Sequence, residues 1–209
     1  MSAPVTGLPN KQADDTNPGT SYLAGFVVLT AVGWFATPFV ISAFDGPLAA
    51  ALSRIDNLGD FALAFVSIVA VVIAYQLVNV IALHQRFLAK VSPPTQYVYQ
   101  SVKPDRSEAL ILASEGVVGS FNRAQRSAAN MRETLPLNLF MLIAATLICP
   151  RTATVLAIVY AIARVLNSLG MTAAFSLRFP GFFVGEVLVP ALLRGVLLRA
   201  AVRAIETHW

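Results

Sequence analysis

The fold class this sequence predicts is an all-α integral membrane protein. Three observations carry that expectation. Of the 209 residues, 56% are hydrophobic and only 12% are charged. Mean hydropathy is +0.68, well above the composition of a soluble globular domain. The charges also cluster between long apolar runs, which is how a chain that crosses a bilayer distributes them.

The net charge of +4 raises nucleic acid as a partner. No basic run is interleaved with aromatics, however, and the basic residues flank apolar spans, so the lipid bilayer is the expected partner. The single cysteine, Cys149, cannot form an internal disulfide. No Cys/His grouping has metal-ligand spacing, so no metal is expected.

Residues 1–22 form a polar arm rich in Pro, Asn, Asp, Thr and Gly, with Lys11 opposed by Asp14 and Asp15. The arm lacks the basic, apolar, small-residue order of a signal peptide. Residues 23–44 follow as an uncharged run long enough to cross about 30 Å of hydrocarbon. With the loop to residue 60 they make a separate unit, 23–60. A second span covers 61–83 and exits through His84, Gln85, Arg86 and Lys90. The polar connection to Glu108 leads to a third span at about 119–149, which Pro150 and Arg151 end in a tight turn. Spans three and four are therefore antiparallel neighbours. The fourth is 152–174, and a fifth, 182–205, is amphipathic in its second half.

The Lys and Arg bias between short polar regions places the arm, 86–108 and Arg178 together on the cytoplasmic or matrix side.

The most informative stretch is 121–136. Its Asn122, Arg126, Asn130 and Glu133 are spaced i, i+4, i+8, i+11 and share an arc of about 80° on a helix. Ionisable groups at membrane depth cost about 2.5 to 3.5 kcal/mol each, so they face a bundle interior or a polar cleft. Read as residues alone, the stripe is either a satisfied structural network or a binding surface. On the fourth span Tyr160, Arg164, Asn167, Ser168 and Met171 share one face. Arg164 needs a counter-ion, and Glu133, at a comparable distance from the Pro150 turn, is the expected one.

The order Phe-Asn-x-x-Gln-Arg-x-x-x-Asn-x-x-Glu-x-x-Pro, then Pro-Arg, then Ala-Arg-Val-Leu-x-x-x-Gly, resembles the MAPEG superfamily, the membrane-associated proteins in eicosanoid and glutathione metabolism. The branch it is most similar to contains microsomal glutathione S-transferase 3 and leukotriene C4 synthase. The resemblance implies a four-helix bundle at 61–209, with 23–60 as one extra N-terminal transmembrane helix and its loop. It also implies a homotrimer with glutathione in a cleft between protomers. Arg126, Asn130, Glu133 and Arg164 would then bind glutathione, and Arg178 would be the catalytic cation that stabilises its thiolate. Some positions depart from the pattern. Asn167 and Met171 stand where relatives carry tyrosine, Thr134 replaces a tyrosine found in some, and His84 replaces an arginine.

Two function classes follow. One is a glutathione-dependent transferase or peroxidase acting on lipophilic electrophiles or lipid hydroperoxides. The other is a non-catalytic subunit of a larger respiratory or photosynthetic membrane complex, docked through the arm and the extra helix. The expected setting is the endoplasmic reticulum or the mitochondrial inner membrane, with a bacterial membrane as the alternative.

Overall fold

The computed structural model describes residues 58–92, 95–102 and 109–208, together with Ala24, Val27, Val28, Ala31, Val32 and Phe35. The polar arm, the loop through residue 57 and the rest of the first apolar run lie outside the described residues. The six described residues of that run are helical and exposed, and their spacing puts them on one face.

A 3₁₀ turn, Gly59–Ala62, leads into helix α1, Leu63–Leu88. A two-stranded antiparallel hairpin follows, β1 Tyr99–Val102 and β2 Ala109–Leu112. Helix α2 is Gly116–Thr146 and α3 is Pro150–Ala173. The last column begins with the 3₁₀ turn Phe175–Arg178, continues through α4, Phe179–Phe182, and a π-helical stretch, Phe183–Leu188, and ends with α5, Val189–His208.

Among the described residues, three stretches are long and apolar enough to span a membrane: Gly59–Leu88, Pro150–Ala173 and Phe175–Thr207. The expected amphipathic fifth segment is thus a full-length column. Helix α2, at 31 residues, is about 46 Å long, but Arg123, Arg126, Arg132 and Glu133, all ahead of Pro136, keep that part of it from being apolar enough. Tertiary contact holds it among the spans, because its inner face is mostly small and apolar. Ala124, Ala128 and Met131 are 0%, 2% and 0% exposed and pack against Ala74, Val78, Ala82 and Ala161. Small residues let helix backbones approach closely where apolar burial against lipid supplies no drive.

The core continues in both directions from that middle layer. Toward the α2–α3 turn, Val71, Met141, Leu142, Ala157, Tyr160 and Leu193 form one cluster. Hydroxyls fasten this end, with Ser67 Oγ donating to Thr154 Oγ1 at 3.2 Å and Asn138 Nδ2 to the Tyr160 hydroxyl at 3.3 Å. An ion pair between Arg151 and Asp60 at 3.3 Å lies outside it, exposed. Toward the other end, Phe121 packs with Val91 and Val98.

The hairpin is a departure from the polar connection expected at 86–108. Its second strand, Ala-Leu-Ile-Leu, is too short to mark itself as a strand by alternation.

The last column lies hard against α3. A Cβ at Gly181 would overlap the backbone of Asn167, and one at Gly185 would crowd the Arg164 side chain.

Candidate functional site

The polar residues of α2 divide into two sets with different work. Asn122 is 1% exposed. Its Oδ1 accepts from the Val98 N–H at 2.9 Å, and its Nδ2 donates to the carbonyls of Val98 and Ala113, each at 2.8 Å. One amide thus fastens the base of both hairpin strands to α2. Arg123 reaches the other way. It donates to the carbonyls of Met171 at 3.0 Å and Thr172 at 3.1 Å, and also to that of Ser114 at 2.6 Å. Those first two carbonyls belong to the last turn of α3, where unpaired acceptors and the negative end of the helix dipole favour a cation. The hairpin, the start of α2 and the end of α3 are thereby tied at one end of the bundle.

The remaining stripe residues lie toward the outside of the bundle. Arg126 and Glu133 are exposed and Asn130 is half-buried. Among the described residues, neither the Arg126 guanidinium nor the Glu133 carboxylate has a hydrogen bond or ion pair. The predicted arc therefore straddles a boundary, with Asn122 inside and the other three facing out.

Arg164 is elsewhere. The shared face Tyr160, Arg164, Asn167, Ser168 and Met171 is buried throughout, none of the five more than 3% exposed. The Arg164 guanidinium pairs with Glu186 of the π-helical stretch, not with Glu133. Equal distance from the Pro150 turn matched the two residues in depth, but depth does not set which way each helix turns its face. Glu133 looks outward while Arg164 looks toward the last column. An acid alone on an apolar span was a usable signal for Glu186, since such a group needs a partner.

Arg178 is half-buried. Its guanidinium carbon lies 3.8 Å from the centroid of the Phe175 ring and 5.1 Å from that of Phe182. Stacked rings leave the edge of the guanidinium, with its N–H groups, free to donate.

Between the hairpin and the ends of α2 and α3 is a cavity of about 620 Å³. Tyr97, Tyr99, Leu112, Met171 and Phe175 line it, and Arg126 supplies a cation. Two predicted site residues meet here, Arg126 directly and Arg178 through Phe175. Asn130 and Glu133 continue along α2, and Arg164 lies apart, inside the bundle.

This frame, in which a half-polar helix carries Arg126, Asn130 and Glu133 outward beside apolar spans, is matched by the family model described as MAPEG family over residues 63–198. The chain belongs to the MAPEG family. No curated protein matches it. The match begins at the first residue of α1 and ends within α5, so the four helical columns constitute the MAPEG fold and the first apolar run precedes it. The protein is an integral membrane protein of this family. Relative to the sequence expectation, the MAPEG bundle here adds Asn122 and Arg123 as fasteners, Glu186 as the partner of Arg164, and a hairpin whose Tyr99 lines the cavity with Tyr97 just ahead of it.

Proposed function

We propose that the protein is a glutathione-dependent transferase or peroxidase of the microsomal glutathione S-transferase 3 and leukotriene C4 synthase type, working on lipophilic electrophiles or lipid hydroperoxides that arrive through the bilayer. The observation that supports this most is the outward set Arg126, Asn130 and Glu133. It leaves a guanidinium and a carboxylate without partners among the described residues, on a helix whose buried amides Asn122 and Asn138 are both hydrogen-bonded. Glutathione carries carboxylates and an amine, which match those groups.

The chemistry assigned to Arg178 follows from its setting. A thiol with a reference pKa of about 8.5 is mostly protonated at neutral pH. A guanidinium that lies against the Phe175 ring keeps its N–H edge for a donor role, stabilises the thiolate and cannot act as a base. Its contribution grows as charge gathers on sulfur, so it favours turnover over binding. Arg164, committed to Glu186, serves the fold in this reading. A homotrimer would let a neighbouring protomer close over the outward stripe.

One observation favours the second reading, a non-catalytic subunit of a larger membrane complex. Asn167 is 2% exposed and offers nothing to a ligand on the stripe, where relatives have a phenol. Calorimetric titration of the purified protein with glutathione separates the two. Saturable binding that Arg126→Ala weakens supports the enzyme. A flat titration of a correctly assembled protein supports the subunit.

A further inference from the structure

At the end of the bundle opposite the hairpin, a groove of about 600 Å³ lies between the α2–α3 turn and the closing turns of α5. Ile148 and Cys149 line it from the turn, and Val196, Ala200 and Ala204 form an apolar wall on the helix. Arg199 and Arg203 border the same space. They stand four positions apart, so their side chains are neighbours on one face of α5. Helix α3, which begins at Pro150, is long enough to cross the bilayer, so the turn ahead of it marks a membrane surface. The groove is therefore apolar on one side and doubly cationic on the other, at the depth where lipid headgroups lie. Arg199 has no hydrogen bond or ion pair among the described residues. Arg203 meets Glu206 at 3.6 Å, with both side chains well exposed, and a pair of that kind holds its charges weakly. The other polar groups of the lining are engaged within their own helices: Thr207 Oγ1 donates to the Arg203 carbonyl at 2.8 Å, and Cys149 Sγ to that of Ala145 at 3.5 Å.

We propose that this groove binds one anionic phospholipid, its phosphate held between Arg199 and Arg203 and its acyl chains laid along Val196, Ala200 and Ala204. Charge complementarity selects the occupant. Guanidinium groups form paired, charge-assisted hydrogen bonds to phosphate oxygens, and basic pockets between membrane helices suit anionic headgroups. A zwitterionic lipid brings the same phosphate with a cation of its own, which two arginines repel. A free phosphate ion would gain the charges and leave the apolar wall uncovered. The small side chains of Ala200 and Ala204 leave width beside the helix for a chain to lie in. Arg126 and Arg178 are at the other end of the bundle, so the lipid site stands whether or not the protein binds glutathione.

The test is native mass spectrometry of the purified full-length protein in detergent, titrated with dioleoyl phosphatidylglycerol or with dioleoyl phosphatidylcholine. The expected result is one tightly bound phosphatidylglycerol per chain and weaker binding of phosphatidylcholine. Arg199→Gln and Arg203→Gln should each weaken phosphatidylglycerol about fivefold, the scale of one cation at an anionic lipid surface, and leave phosphatidylcholine unchanged. Ala200→Trp, which fills the groove, should weaken both lipids. Detergent melting equal to that of the unaltered protein identifies the variants that are folded, and the two arginine variants decide the matter even where Ala200→Trp is not. Equal binding of the two lipids overturns the proposal, as does a preference for phosphatidylglycerol that survives replacement of both arginines. Displacement of the lipid by millimolar inorganic phosphate overturns it as well, because the site would then read phosphate alone. A lower oligomeric mass in Ala200→Trp would mean that a second copy of the chain fills the groove, and that result also overturns the lipid site.

Discussion

Arg164 of α3 is paired with Glu186 inside the bundle, and the π-helical stretch Phe183–Leu188 is where that glutamate is carried. The arginine is 1% exposed and the glutamate side chain 13%. A wider helical turn redirects side chains relative to an α-helix, and such bulges occur where a position has to be re-aimed. Gly185, next to Glu186, leaves room for the arginine stem.

Breaking one partner of a buried pair leaves a lone charge and costs about 3 to 5 kcal/mol, whereas replacing both with well-packed residues is often close to neutral. Glu186→Gln is therefore expected to lower detergent thermal stability more than Glu186→Gln combined with Arg164→Met. Glu133→Gln, on the outer face, is expected to change stability by less than about 0.5 kcal/mol. Thermal unfolding of the three variants checks the ordering, and a large loss in Glu133→Gln would return the pairing to α2.

Asn122→Ala removes three hydrogen bonds at the hairpin base. Buried backbone groups left without partners cost about 1 to 3 kcal/mol each before relaxation. Local opening is the expected result, with amide exchange at Val98 and Ala113 accelerated and the α1–α3 core unchanged. Hydrogen exchange read by mass spectrometry measures both regions in one experiment.

Arg123 and Arg126 are three positions apart and are expected to fail in different ways. Arg123→Ala uncaps the last turn of α3 and should cost about 1 to 2 kcal/mol of stability. Arg126→Ala should leave stability unchanged and weaken glutathione binding, because its guanidinium has no partner among the described residues. Paired measurements of melting and calorimetric affinity separate the two roles.

Arg178→Ala is expected to lower kcat with glutathione binding nearly kept. Losing the cation raises the pKa of the bound thiol, so less thiolate is present at neutral pH and the rate profile moves to more alkaline pH. The thiolate absorbance of bound glutathione, followed across pH, reports that shift without turnover. A profile that does not move removes Arg178 from the chemistry.

Much of this molecule was legible in the sequence because composition and period carry it directly. Apolar runs of span length set the helices, Pro150 set the α2–α3 turn, and the spacing of Tyr160, Arg164, Asn167, Ser168 and Met171 marked a face that is indeed buried. The grouping of Arg126, Asn130 and Glu133 on one side of α2 was legible for the same reason, since 3.6 residues per turn fixes which residues share a face. Which way a face looks is a different quantity, set by the neighbours that pack around the helix. Only the tertiary structure turned Asn122 inward onto the hairpin and left Glu133 outside. It alone chose Glu186 over Glu133 for Arg164, because contacts between distant segments depend on azimuth and register that no local period encodes. The cavity is of the same kind: Tyr99, Arg126 and Phe175 are scattered along the chain, and only the packing of the hairpin over the ends of α2 and α3 brings them around one space.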